Sequence, residues 1–336
     1  MKTAESKNLV AFVESNLQSR LKKIASNLRK TAKDPEDAGH IHDLRVAIRR
    51  YTQGLRIFKH LLNGGRVKKM RRRLKTVMEF CGTIRNCDIA LEVLKAAGAE
   101  APAHLKRRLD ERRSDAMRDL GDFVDRSGGE KTTKQWSGWL RAKPGPEQTI
   151  ACSARRVLRP MTKDFLDAGV AAANPETTPM EMHQFRLMAK RFRYSLEIFS
   201  QAAGPECKRW ITQVRALQEH LGGINDCVTT RDLIAEPGNS SHRLRDVKAA
   251  VERLLEQRIE VFRKYWNEHL QSDQRRRWLA QADKIGTEKI GKTANHEHQH
   301  PEARNSGGSS TGEVRRGAAP RQRRQTRAEG SAAAGS

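Results

Sequence analysis

HDLRVAIRRY occupies residues 42–51, and 141 positions later the chain reads HQFRLMAKRFRY over residues 183–194, again opening on His and again dense in cations. The likeness extends well beyond both stretches. At an offset of 141, His42, Leu44, Arg45, Arg50, Leu55, Ile57 and Phe58 fall on His183, Phe185, Arg186, Arg191, Leu196, Ile198 and Phe199. At an offset of 140, Met70, Leu74, Val77, Cys81, Gly82, Ile84 and Cys87 fall on Trp210, Val214, Leu217, Leu221, Gly222, Ile224 and Cys227. One gap joins the two registers. Solenoid repeats run about 20 to 50 residues, so this longer period implies two related halves able to pack about a pseudo-two-fold axis.

Within each copy the apolar residues keep helical spacing. Leu44, Ile48, Tyr51, Leu55, Phe58 and Leu62 alternate steps of four and three, which at roughly 100° per residue draws one stripe for a core. His42, Arg45, Arg49 and Arg56 gather within roughly 60° of one another, apart from that stripe. In the second copy Phe185, Phe192, Leu196 and Phe199 form the stripe, and His183, Arg186, Lys190 and Arg193 take about the same basic sector. Arg50 and Arg191 sit nearer the opposite flank, where either a different surface or a packing role is open to them. The next helix repeats the sorting, with Val67, Met70, Leu74, Val77 and Cys81 as its seam beside Lys68, Arg71, Arg72 and Lys75. Its counterpart has Cys207, Trp210, Val214, Leu217 and Leu221 as the seam, and Lys208, Arg209 and Arg215 answer Lys68, Lys69 and Lys75.

A basic helix face is usually nothing more than a solvated surface. Two features weigh against that reading. Like charges three or four apart destabilise a helix by a few tenths of a kcal/mol per pair, and few acids intervene to offset it. The same unfavourable pattern is also written twice. Each His alone fits a cap-region or packing residue. One turn before an Arg it also fits a donor whose pKa is depressed by neighbouring cations and raised again by a bound phosphate oxygen.

Turn signals punctuate the chain at DPEDAGH (34), NGG (63), GGEK (128), KPGPE (143), NPETTP (174), AGP (203) and EPGNSS (236), with no alternating strand pattern between them. Helices are expected near 4–31, 41–63, 66–81, 87–97, 101–125, 150–171, 179–202, 205–220, 226–235 and 242–283. The fold class is all-α: one domain over 1–285, with half one about 1–125, a linker about 126–149 and half two about 150–285. Residues 286–336 lack apolar periodicity and are rich in Gly, Ser, Ala and charge, which predicts a disordered basic tail.

With 65 Lys and Arg against 40 Asp and Glu, the formal charge is +25, and roughly +21 remains once the tail is set aside. Such a field recruits polyanions: nucleic acid, an anionic membrane or an inorganic phosphate polymer. No run approaches the ~20 apolar residues of a membrane span, and MKTAESKNLV does not resemble a signal peptide, so the cytoplasm is the default location. Five cysteines, Cys81, Cys87, Cys152, Cys207 and Cys227, form no CxxC pair and read as buried, reduced thiols.

HDLRVAIRRYTQGLRIF, HQFRLMAKRFRYSLEIF and the paired segments RLKTVMEFCGTIRNCDIAL and QVRALQEHLGGINDCVTTRDL resemble the CHAD domain, the conserved histidine α-helical domain, over most of residues 5–280. That resemblance implies two pseudo-symmetric helical-bundle halves around a basic central channel or groove that binds inorganic polyphosphate, often at polyphosphate granules. The positions it marks are His42, Arg45, Arg49, Arg50, Arg56, Lys68 and Lys75, then His183, Arg186, Lys190, Arg191, Arg193, Lys208 and Arg215. Arg71, Arg72 and Arg209 join them as neighbours on the same faces. The chain departs from the family pattern at Asn86, where CGTIRNCD has Asn in place of Asp, while the second copy keeps Asp226. Both residues read as helix N-caps, a role Asn and Asp share, with Gly82, Gly222 and Gly223 turning the chain before them.

Polyphosphate asks only for spaced donors along a groove, with Arg forks gripping two oxygens and Lys supplying compact charge. A nucleic-acid-binding helical protein is the alternative, but single-strand binding adds aromatic platforms, and aromatics are 5% of this chain. The tail segment RRGAAPRQRRQTR is suited to nonspecific contact with nucleic acid. Phosphoryl transfer needs metal ions held by carboxylates, and the basic faces show no acidic pair. There is no GxxxxGK[ST] loop and no ExExK signature resembling a CYTH triphosphatase, so a binding module with no cofactor is expected. HEHQH, from His296 to His300, reads as a solvated linker rather than a metal site.

Overall fold

In the computed structural model the described residues are 2–286 without 35, 127–128, 147–148, 236–241 and 271, and all regular structure among them is helical. The helices are α1 (Lys2–Lys33), α2 (Ala38–Ile57), α3 (Gly64–Ala96), α4 (Ala103–Arg126), α5 (Gly129–Trp139), α6 (Ile150–Ala173), α7 (Pro179–Phe199), α8 (Glu206–Ala235), α9 (His242–His269) and α10 (Ser272–Lys284). A 3₁₀ turn, Lys59–Leu61, follows α2. None of these helices is long and apolar enough to cross a membrane. The tail from 287 onward, with its His296–His300 cluster, lies outside the described residues.

Local chemistry starts the key helices where the turn signals stand. Asp37 accepts a hydrogen bond from the Gly39 amide at 2.7 Å ahead of α2, and Asn63 accepts one from the Arg66 amide at 3.0 Å ahead of α3. Thr178 and Glu181 form a reciprocal capping box with Pro179 at the first turn of α7. Caps of this kind are worth about 1 kcal/mol each and set the rotation of the apolar stripe that follows.

The repeat is five helices long. In the first half α1 packs on α2, α2 on α3, α3 on α4, and α5 on α1; in the second, α6 packs on α7, α7 on α8, α8 on α9, and α10 on α6. The span expected to be a linker, 126–149, therefore contains α5, the counterpart of α10. Trp136 of α5 and Trp278 of α10 are both buried. Two flanking turn signals hide α5 in the sequence, leaving too few apolar positions to show a period.

Three further expectations are corrected. Residues 242–283 are not one helix: the chain turns after His269, and α10 folds back so that Trp278 stacks on Trp210 at 4.9 Å and on Phe165 at 5.9 Å. No Gly or Pro marks that turn; the aromatic contact on α6 and α8 drives it. α3 and α8 each run unbroken through the places where turns were expected, so Asn86 and Asp226 are mid-helix residues rather than N-caps, and Gly82, Gly222 and Gly223 turn nothing. Cys152 is exposed, whereas the other four thiols are buried.

Both apolar stripes are buried as their spacing predicts, from Leu44 to Leu62 and from Phe185 to Phe199, and they belong to one continuous core. Each such side chain contributes about 1.5–3 kcal/mol by leaving water. The halves meet where α2 packs on α7 and α3 on α8. Phe58 and Phe199, equivalent residues of the repeat, touch edge to face with centroids 5.9 Å apart, so the pseudo-two-fold axis runs close between them. Gln53 donates to the Ser195 hydroxyl at 2.9 Å across the same seam.

Candidate polyanion-binding groove

Packing α7 of the second half on α2 of the first leaves a groove of about 1030 Å³ bordered by α2, α3 and α7. Because the apolar stripes of α2 and α3 turn into the core, their basic sectors turn toward this space. Arg49, Arg56 and Lys59 reach it from α2 and the turn after it, Lys68, Arg71, Arg72 and Lys75 from α3, and Lys190 and Arg191 from α7. Nine Lys or Arg side chains line it, and no Asp or Glu is among its described lining residues. Ile48, Val67, Leu74 and Leu187 supply an apolar floor, with Tyr194 beside them.

The cations of the two halves are close enough to perturb one another. Burial pushes the Lys190 ammonium down to about 6, with Arg186, Arg49 and Arg45 adding to the effect. Burial likewise lowers Arg45, to about 10, and Arg49 and Arg186 add to it. Arg56 is lowered by burial and then by Arg191 and Arg71, one cation from each side of the groove. Arg45 and Arg186 are not among the described lining residues, yet with Arg49 and Lys190 they crowd positive charge beside the groove, which favours any anion that enters it.

Two of the three glycines expected to turn the chain, Gly82 and Gly223, instead leave room for arginine side chains. A Cβ at Gly82 would lie 3.3 Å from Arg45 Nη1, and the Arg45 guanidinium donates to the Met78 carbonyl at 3.5 Å. In the second half a Cβ at Gly223 would lie 3.2 Å from Arg258 Cδ, and Arg258 donates to the Gly223 carbonyl at 2.8 Å. Asp226 stands 4.0 Å from Arg186, and burial remains the main influence lowering Arg186. Asn86 is the residue at the equivalent position of the first-half sequence, where no carboxylate is available to Arg45 from that position.

The remaining candidates lie elsewhere. His42 has its pKa lowered in the expected direction, but by burial first and by the neighbouring cation Arg85 only second. His183 Nδ1 is hydrogen-bonded to Asn225 Oδ1, in a separate pocket of about 530 Å³ beside the start of α7. Arg50 grips Glu197 with two hydrogen bonds of 2.8 and 3.2 Å, and Arg193 pairs with the same carboxylate at 3.8 Å. Lys208, Arg209 and Arg215 are exposed on α8 and do not line the groove, and Arg209 pairs with Glu206 at 3.2 Å. The sequence reading missed Lys59, three residues beyond Arg56 on the edge of the same basic sector, and Tyr194, Thr52 and Gln53 in the wall. It also passed over Glu197, although that residue falls on Arg56 in the repeat.

A duplicated all-helical module with a cationic groove at its seam is the class of protein these features define. The chain belongs to the CHAD domain family, whose family model matches residues 15–235. Its fold is similar to PptA from Streptomyces chartreusis, with TM-score 0.56 and 20% identity over 76% of this chain and 98% of that one. It is also similar to the CHAD domain from the plant Ricinus communis, with TM-score 0.61 and 18% identity over 76% of this chain and 91% of that one. No curated protein matches it in sequence.

Proposed function

We propose that this protein binds inorganic polyphosphate in the groove between α2, α3 and α7, as a binding module that associates with polyphosphate granules. The observation that carries the reading is the convergence of nine cations from both halves on one groove whose described lining has no carboxylate. A phosphate polymer offers roughly one charge per unit and no bases, so spaced guanidinium forks and ammonium groups satisfy it without aromatic platforms. Tyr194 is the one Phe, Tyr or Trp among the described lining residues, with His60 the other ring there, and Tyr194 also faces Arg193 at 5.0 Å, which leaves little for nucleobases to stack on. Membership of the CHAD family supports the same ligand. Turnover by the usual metal-assisted route needs carboxylates at the phosphates, and the groove presents donors, so the proposed role is binding.

Competition decides it. Long-chain polyphosphate is expected to displace labelled polyphosphate at lower phosphate concentration than DNA or RNA at physiological salt, with affinity falling steeply as salt rises. Equal or stronger displacement by nucleic acid would overturn the assignment. Replacing Arg45, Arg49, Arg186 and Lys190 together by Ala is expected to weaken binding more than deleting the tail after residue 286. A larger loss on tail deletion would move the site away from the groove.

A further inference from the structure

The pseudo-two-fold axis that builds one groove should build a second, and the side chains at the equivalent positions differ. Arg56 of the first half is answered by Glu197, Arg71 by Ile211 and Arg72 by Thr212. Arg191 crosses from α7 into the first groove, where it adds to the positive field on Arg56. Its counterpart Arg50 crosses from α2 to the opposite side, where Glu197 takes it with hydrogen bonds of 2.8 and 3.2 Å. Arg193 closes on the same carboxylate, which is only 15% exposed. Two cations that would face the second side are thus engaged by one largely buried carboxylate, which cancels one of their two charges.

We infer that the binding site is one-sided: Glu197 is a specificity-determining residue that closes the second side of the pseudo-symmetric module to polyanions and confines the phosphate chain to the α2–α3 side. This rests on the polyphosphate reading above. A carboxylate fixed by two guanidinium groups repels a phosphate oxygen and draws both donors away from it, so the chain meets a full row of donors on one side and, on the other, an internal ion cluster with only Lys208 and Arg215 of the answering row beside it.

The test is the salt dependence of polyphosphate binding to the full-length protein. Long-chain inorganic polyphosphate is titrated at several salt concentrations into the wild type, Glu197→Gln, and Asp119→Asn, which makes the same change of charge on exposed α4. Helical circular dichroism is recorded for each. Releasing Arg50 and Arg193 is expected to steepen the slope of log affinity against log salt by about one to two, and to tighten binding at least threefold at low salt, with Asp119→Asn unchanged. A folded Glu197→Gln variant with the wild-type slope, or one matched by Asp119→Asn, would overturn the inference. Should Glu197→Gln fail to fold, Arg191→Ala and Arg50→Ala decide. A one-sided site makes the loss from Arg191→Ala at least fivefold the greater, and equal losses overturn it. A wild type without affinity for polyphosphate removes the ligand assignment, whereas normal wild-type binding with an unmoved slope removes only the closed side.

Discussion

Arg45 lies across Gly82, so close that a Cβ at residue 82 would stand 3.3 Å from Nη1. Its second-half counterpart, Gly222, has no atom within 4 Å of the same construction. Gly in a helix interior costs roughly 0.5–1 kcal/mol relative to Ala. Gly222→Ala is therefore expected to stabilise the protein by about that much in urea denaturation and to leave polyphosphate binding alone. Gly82→Leu is expected to push Arg45 aside and weaken binding several-fold, with the melting temperature little changed. Identical behaviour of the two variants would show that the contact with Arg45 has no consequence.

Lys190 is expected to make polyphosphate binding depend on pH. Its ammonium, pushed down to about 6, is mostly neutral in the free protein above that pH. Phosphate oxygens favour the charged form, so binding takes up as much as one proton at pH 7–8, and affinity is expected to fall as pH rises above about 6. Calorimetry in two buffers of different ionisation heat reads the uptake directly, and Lys190→Met should abolish it. Folding follows the same linkage. Between about 6 and the ordinary lysine value the unfolded chain binds the extra proton, so this residue's contribution makes stability rise with pH across that window.

At the α6–α9 crossing, a Cβ on Gly169 would stand 1.8 Å from Trp266 Cη2. Gly169→Ala is expected to cost about 3 kcal/mol through overpacking, seen as a lowered urea midpoint, even though Ala is the better helix former. A neutral effect would mean that the two helices separate freely there.

Trp136 tests whether α5 is a structural helix. Truncation of a buried Trp costs about 3–5 kcal/mol, and Trp136→Ala and Trp278→Ala are both expected to fall in that range. A connecting segment would tolerate Trp136→Ala at nearly no cost.

Periodicity made the two helix pairs legible, because a stripe such as Leu44 to Leu62 has one geometric solution that buries it, and burying it turns Arg49, Arg56 and Lys190 toward one groove. Glycine misled for a physical reason. Gly82 and Gly223 sit in unbroken helices where Arg45 and Arg258 need room, a requirement set by tertiary approach and invisible along the chain. The break before α10 was hidden because an aromatic contact, Trp278 on Trp210, produces it rather than a local signal. The basic row was only half informative for the same reason. Arg49 and Lys190 enter the groove, while Arg193, on the same sector, is drawn to Glu197.

The near self-contact of Phe58 and Phe199 has one more consequence. A seam whose two sides match is what a homodimer would present, and in a homodimer every substitution is made twice. Joining both copies in one polypeptide removes that constraint. An acid at position 197 can arise while position 56 stays an arginine, so a duplicated chain can keep its symmetric frame and still evolve two unlike faces.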